Sequence, residues 1–101
     1  MIDAGHSALR FVADRQPGEL ESNEMLRFAL VRAVEIIGEA ASKVTIETRA
    51  ECPAVPWPEI VFMRNRLIHG YFDIDTTILW KTVTEDIPML LSRLAPLAPQ
   101  V

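Results

Sequence analysis

An apolar stripe in residues 26–44 constrains the fold of this chain more than any other feature. Its apolar side chains recur every three or four residues, the spacing that places them on one face of an α-helix. No stretch sustains an alternation of apolar and polar residues, so strands are not expected. The sequence therefore predicts an all-α, antiparallel helical bundle. The stripe consists of Leu26, Leu30, Ala33, Ile37, Ala40 and Val44.

Capping and breaking residues divide the first half of the chain into three helices. The first is expected over residues 2–13, before a polar stretch that contains proline and glycine. Ser22 or Asn23 can cap the second helix, because either side chain can accept a hydrogen bond from its first turn. Thr45 can cap a short third helix that ends near Pro53.

The second half of the chain adds one or two helices, which gives four or five in all. A fourth helix is expected from Pro58 to about Ile68. Asp75 can cap the last helix, and we expect Pro88 to kink it. Proline removes a backbone hydrogen bond and its ring crowds the carbonyl group of Thr84, four residues earlier.

Length and composition predict one domain over residues 1–101 that associates with itself. Half of the residues are hydrophobic, which is a high share for so short a chain and favours burial between subunits. The net charge of −4 argues against a general nucleic-acid coat protein but allows a local basic site. The single Cys52, the absence of a signal peptide and the absence of a membrane span together predict a cytoplasmic protein.

Arg64 has an unusual place on the predicted fourth helix. At 100° per residue it falls among the apolar side chains, where an unpaired guanidinium group would be very costly. We therefore expect an ion pair between Arg64 and either Glu35 or Glu39 on the second helix, and Glu39 can also pair with Lys43. This ion pair could be purely architectural or part of a functional site.

A second stripe on the fourth helix joins Phe62, Asn65 and His69, and faces away from the monomer core. His69 can transfer protons near neutral pH, while an arginine fork matches a phosphate group. Arg66 and Tyr71 stand nearby and can bind an anion or orient the imidazole ring. The cluster is therefore suited to phosphodiester chemistry, with two copies of His69 in a symmetric dimer acting as base and acid.

Other candidate residues favour ordinary structural roles. Asp73 and Asp75 precede a helix, where carboxylates are usually caps, so no metal or other cofactor is predicted. Trp57 and Trp80 are expected to pack in the core rather than stack on bases. His6 lies on the first helix and receives no role.

The segment Arg64-Asn65-Arg66-Leu67-Ile68-His69-Gly70-Tyr71 resembles the motif of HEPN ribonucleases. The longer string "MRNRLIHGYFDID", with "EIIGEAASKV" before it and "TVTEDIPMLL" after it, is similar to the HepT-like branch, the toxin half of a bacterial toxin–antitoxin pair. The bare arginine and histidine spacing is weak by itself, whereas the three strings in order are fairly specific. Members of the family commonly have a longer first helix, so a shortened N-terminus is expected here.

The resemblance implies a HEPN-type homodimer that cleaves RNA without a metal ion. Arg64 and His69 would be catalytic, and Asn65 and Arg66 would bind or orient the substrate. Tyr71 would be the residue to which a minimal nucleotidyltransferase antitoxin attaches AMP, which adds bulk and negative charge beside the RNA site. The alternative is a catalytically silent HEPN dimer that binds a nucleotidyltransferase or a nucleotide.

Overall fold

The computed structural model describes residues 1–67 and 74–96 of the chain. This part is largely helical and contains no β-strand, which confirms the predicted all-α class. No helix in it combines the length and the apolar character needed to cross a membrane. Its helices, in chain order, are α1 (Ile2–Val12), α2 (Glu19–Ser22), α3 (Glu24–Ser42), α4 (Ile46–Glu51), α5 (Trp57–Val61), α6 (Met63–Leu67), α7 (Thr76–Lys81), a π-helical segment (Thr82–Asp86) and α8 (Ile87–Leu94).

The caps of α3 and α4 are side chains that the sequence indicated. The Asn23 side chain accepts a hydrogen bond from the backbone N–H of Leu26 at 3.0 Å, so Asn23 rather than Ser22 caps α3. Thr45 Oγ1 accepts from the N–H of Thr48 at 3.1 Å and caps α4. Each cap satisfies a donor that the first helical turn leaves without a backbone partner. The short α2 was not predicted.

The predicted fourth helix is interrupted at Phe62, which forms a turn between α5 and α6. The N–H of Asn65 donates to the carbonyl oxygen of Phe62, three residues earlier, so α6 begins a new helical register. Met63 and Leu67 are the buried residues of α6. The predicted burial of Arg64 is therefore wrong: its side chain is 50% exposed, because the break rotates the buried face away from it.

The last part of the chain accommodates Pro88 with a π-helical segment rather than a simple local kink. The N–H of Ile87 donates to the carbonyl oxygen of Thr82, five residues earlier. The irregularity thus precedes Pro88, and the hydroxyl of Thr84 donates to the carbonyl oxygen of Trp80 at 2.8 Å. A π-helical turn is one of the ways in which a helix accommodates a residue, such as proline, that cannot form the regular α-helical hydrogen bond.

The core forms around α3, which packs against α1, α2, α5, α6 and α7. Helix α1 also packs against α8 and the π-helical segment, so the first and last described helices are neighbours. Gly5 of α1 permits a close approach there, because a Cβ atom at Gly5 would lie 3.0 Å from Leu91 Cδ2. The largest fully buried side chains are Leu20, Leu30, Ile37, Met63, Leu67, Leu79, Ile87 and Leu94.

Candidate functional site

Gly38 determines how closely α3 approaches the end of α5. A Cβ atom at this position would lie 3.1 Å from the carbonyl oxygen of Val61 and 3.3 Å from that of Ile60. These distances are shorter than ordinary van der Waals contact, so a side chain at position 38 would push the two backbones apart by a few tenths of an ångström. The approach brings Phe62 and α6 beside the C-terminal half of α3.

Arg64 of α6 pairs with Glu35 of α3, which is one of the two predicted partners. Arg64 Nε lies 3.3 Å from Glu35 Oε1, and Arg32 Nη1 lies 3.5 Å from Glu35 Oε2. Glu39 pairs instead with Lys43 on its own helix, at 3.6 Å. One carboxylate therefore stands between two guanidinium groups and holds Arg64 against α3.

The exposure of Arg64 leaves it able to bind a further anion. A guanidinium group carries five N–H donors, and a single carboxylate shared with Arg32 cannot occupy all of them. The ion pairs themselves leave one positive charge uncompensated, because Arg32 and Arg64 share the single carboxylate of Glu35. The planar fork of an arginine matches the geometry of a phosphate group.

An open groove of about 420 Å³ lies between α3 and the α5–α6 turn. Phe62, Arg64 and Asn65 line one side, and Glu35, Glu39 and Ser42 of α3 line the other. Phe62 and Asn65 are both exposed, in agreement with the prediction that they share an outward face. The groove thus places an aromatic ring, an amide and an anchored arginine on one accessible surface.

Two of the predicted site residues, His69 and Tyr71, lie outside the described residues. The described residues on either side of this segment meet, because the N–H of Asp75 donates to the carbonyl oxygen of Leu67 at 2.7 Å. Leu67 and Asp75, which stand on either side of these residues in the sequence, are therefore in direct contact.

Arg66 occupies a different side of α6 from Arg64 and Asn65. It lines a separate cavity with residues of α8 and does not line the groove at Arg64. Arg32 and Gly38, which help to position Arg64, were not singled out from the sequence. The signal for Gly38 was present, since a glycine within a long helix costs about 1 kcal/mol relative to alanine and usually has a packing reason.

The remaining candidates occupy structural positions where they are described. Asp75 caps α7 by accepting a hydrogen bond from the N–H of Ile78 at 3.0 Å, while Asp73 lies outside the described residues. Trp57 is buried and donates through Nε1 to the carbonyl oxygen of Cys52, and Trp80 packs against the core, as predicted. Among residues 1–67 and 74–96, no three histidine, cysteine, aspartate or glutamate side chains form a cluster suited to a metal ion.

Comparison with known proteins identifies a family for this fold and site. The model of the family described as "Ribonuclease HepT-like" matches residues 1–97. A candidate RNase of Methanocaldococcus jannaschii is 42% identical over 90 residues, which cover 89% of this chain and 83% of that protein. A protein of Thermococcus cleftensis named probable ribonuclease HepT is 48% identical over 67 residues, which cover 66% of this chain and 61% of that protein. No solved structure matches the chain.

The chain therefore belongs to the Ribonuclease HepT-like family. A candidate RNase of Caldanaerobacter subterraneus subsp. tengcongensis adds a bacterial relative, 39% identical over 84 residues, with 79% of this chain and 75% of that protein covered. The membership confirms the resemblance identified in the sequence and supports the predicted class of enzyme, an RNA endonuclease.

Proposed function

We propose that the domain over residues 1–101 is a metal-independent endoribonuclease toxin that acts as a homodimer in the cytoplasm. The observation that carries this proposal is the ion pair between Arg64 and Glu35, which holds a half-exposed guanidinium group on an open groove. Family membership supplies the substrate class, RNA, because relatives of this chain bear the names of ribonucleases. The uncompensated positive charge of the cluster formed by Arg32, Glu35 and Arg64 favours a phosphodiester over a neutral ligand.

The proposed reaction is attack by the 2′-hydroxyl group of RNA on the adjacent phosphate. Arg64 stabilises the additional negative charge of the pentacovalent transition state, and Asn65 orients the phosphate or the imidazole ring. His69 of one subunit removes the proton from the 2′-hydroxyl group, and His69 of the other subunit protonates the leaving 5′-oxygen. The products are a 2′,3′-cyclic phosphate and a free 5′-hydroxyl group, and no metal ion takes part.

An exposed apolar surface on α3 supports the proposed homodimer. Met25 is 81% exposed, and Phe28 and Ile36 are also exposed at spacings that place them on one helix face with Met25. Phe62, which is 60% exposed, lies beside this helix at the candidate groove. Large apolar side chains that share a surface favour association, and association here would bring two grooves together.

The proposed control of the toxin is covalent modification at Tyr71 by a minimal nucleotidyltransferase antitoxin. Transfer of AMP to the phenolic oxygen forms a phosphodiester bond on Tyr71 and releases pyrophosphate from ATP. The attached nucleotide adds bulk and a negative charge near the arginine that binds RNA, so the substrate is repelled and obstructed. The antitoxin therefore silences the enzyme without unfolding it.

Growth inhibition in cells that express the chain tests this proposal. We expect His69→Ala and Arg64→Ala to abolish inhibition while native mass spectrometry shows unchanged dimers. His6→Ala is the matched control, because His6 is an exposed residue of α1 with no proposed role. Inhibition that persists in His69→Ala would contradict the ribonuclease mechanism and favour a silent dimer that binds a nucleotidyltransferase or a nucleotide.

A further inference from the structure

A second cavity lies between the α5–α6 region and α8, on another side of α6 from the groove at Arg64. Its volume is about 150 Å³, and the buried side chains of Ile60 and Leu90 contribute apolar surface to it. Arg66 of α6 and Arg93 of α8 line the cavity, and both are exposed. Two arginines from separate elements thus meet at one concave site.

All four charged residues that line this cavity lack a side-chain partner among the described residues. Arg66, Arg93, Glu59 and Asp86 form neither an ion pair nor a side-chain hydrogen bond there, although the two signs of charge share one cavity. Opposite charges at close range usually pair when nothing else separates them. Their separation here leaves both donors and acceptors available to a ligand.

The arginines, carboxylates and apolar side chains that line the cavity suit a ligand that carries an anionic group, hydrogen-bond donors and an apolar surface. The formal charges cancel, so a simple inorganic anion gains little net attraction from the cavity as a whole. A ribonucleotide presents phosphate oxygens to arginines, while its ribose hydroxyl and base N–H groups can donate to carboxylates. A cavity of about 150 Å³ is large enough for one aromatic ring, and Ile60 and Leu90 give it an apolar patch, so a base can enter while the phosphate stays at the mouth.

We propose that this cavity binds one nucleotide of single-stranded RNA, with its phosphate between Arg66 and Arg93 and its base against Ile60 and Leu90. The inference rests on the proposed function, because it takes RNA as the substrate. Arg64 and Arg66 lie on two sides of a helix that is about 10 Å across, so an RNA strand that crosses α6 reaches both within roughly one or two nucleotides. Arg93 is then a substrate-binding residue of the last helix.

Equilibrium binding of a fluorescein-labelled single-stranded RNA 10-mer tests the inference. The measurement uses the full chain with His69→Ala, so that the RNA stays intact, and follows fluorescence anisotropy at several salt concentrations. We expect Arg93→Ala to raise Kd about 10-fold and to reduce the slope of log Kd against log salt by about one. Arg93→Lys should retain the salt slope and recover only part of the affinity, because lysine lacks the planar fork.

A double-mutant cycle shows whether the two arginines act on the same nucleotide. We expect the effects of Arg66→Ala and Arg93→Ala on log Kd to be clearly non-additive, since loss of either releases the same phosphate. The matched control is Arg10→Ala, which removes an exposed arginine of α1 outside this cavity. Arg10→Ala should change Kd less than twofold, and its effect should add to that of Arg93→Ala.

Wild-type affinity and an unchanged salt slope for Arg93→Ala would overturn the inference, as would simple additivity of Arg66→Ala and Arg93→Ala. Both substitutions change exposed side chains, and thermal unfolding followed by circular dichroism verifies that the variants are folded. Binding is measured without turnover, so failure of the proposed reaction would leave this result intact. Conversely, if the protein cleaves RNA but Arg93→Ala does not weaken RNA binding, only the proposal that this cavity binds a nucleotide is contradicted.

Discussion

Gly38 of α3 lies directly against the backbone of Val61, at the point where α5 ends. A Cβ atom at Gly38 would stand 3.1 Å from the carbonyl oxygen of Val61. Glu35 lies one helical turn before Gly38, and Arg64 lies three residues after Val61, so this contact sets the separation of the ion pair. A close approach of two backbones thus positions the arginine that the proposed reaction requires.

We expect Gly38→Ala to lower the free energy of unfolding by about 1 kcal/mol. Helix propensity favours alanine by about 1 kcal/mol, but the crowding of a rigid backbone oxygen costs about 1–3 kcal/mol. Gly38→Val should be markedly worse. Gly18→Ala is the control, because nothing lies within 4 Å of a Cβ atom there. Chemical denaturation measures the series, and a Gly38→Ala variant as stable as Gly18→Ala would show that the approach of α3 is not tight.

Glu35→Gln should reduce RNA cleavage about 10- to 100-fold, because Arg64 loses its charged anchor and its position for the phosphate is no longer fixed. Stability should change by less than about 1 kcal/mol, since both side chains of the ion pair are partly exposed. Glu39→Gln is the matched control: Glu39 pairs with Lys43 and lines the same groove. Single-turnover rates measure the effect, and equal rates for the two variants would contradict a positioning role for Glu35.

Arg49→Ala should lower the free energy of unfolding by about 2 kcal/mol. Arg49 Nε donates to the carbonyl oxygen of Val44 at 3.1 Å, and Nη2 donates to that of Ala41 at 3.0 Å. Ala41 lies in the last turn of α3 and Val44 lies two residues beyond its end. Both hydrogen bonds come from one guanidinium group, whose removal costs about 1.5–3 kcal/mol. The guanidinium group also stacks on the ring of Trp57, 5.7 Å from its centroid.

Arg49→Lys should lower the free energy of unfolding by more than half as much as Arg49→Ala does, because one ammonium group cannot reach both carbonyl oxygens as a planar fork does. Arg10→Ala serves as the control, since Arg10 donates to Ser7 Oγ in an exposed hydrogen bond within α1. Urea denaturation compares the three variants. Full recovery by lysine would mean that charge alone, rather than the two-point contact, stabilises the end of α3.

Asn23→Ala should lower the free energy of unfolding by about 1 kcal/mol through loss of the α3 cap. Asn23→Asp should retain the stability, because a carboxylate can accept the same hydrogen bond from Leu26. Ser22→Ala should have little effect, since the Ser22 hydroxyl only donates to the carbonyl oxygen of Glu19. Thermal unfolding distinguishes the two candidate caps, and a larger loss for Ser22→Ala would contradict the cap assignment.

Local features of the sequence were sufficient for the helical class, and they reduced the α3 cap and the ion-pair partner of Arg64 to two candidates each. Caps act over three residues, so Asn23 and Thr45 could be recognised without tertiary information. The pairing of Glu39 with Lys43 likewise follows from i, i+4 spacing, but spacing alone left both Glu35 and Glu39 open as partners of Arg64. The anchored arginine was therefore predictable in identity, although its burial was not.

The break at Phe62 and the second cavity depend on tertiary packing that spacing alone does not contain. A continuous helix through Phe62 satisfies local propensities, but the close contact of Gly38 with Val61 fits a chain that turns there. The proximity of Arg66 and Arg93 also requires the relative positions of α6 and α8. A helical wheel shows which residues share a face only within one continuous helix. A single residue that interrupts the helix changes the direction in which every later side chain points.

Cleavage of labelled RNA by the purified chain in excess EDTA tests whether this protein is a metal-independent ribonuclease. The 3′ ends of the products are analysed, and His69→Ala and Arg64→Ala are run beside the wild type, with intact mass used to verify that Tyr71 is unmodified. The account predicts cleavage that survives chelation, leaves a 2′,3′-cyclic phosphate and is lost in both variants. Cleavage that requires an added divalent cation, or that leaves a 3′-hydroxyl group, would contradict it.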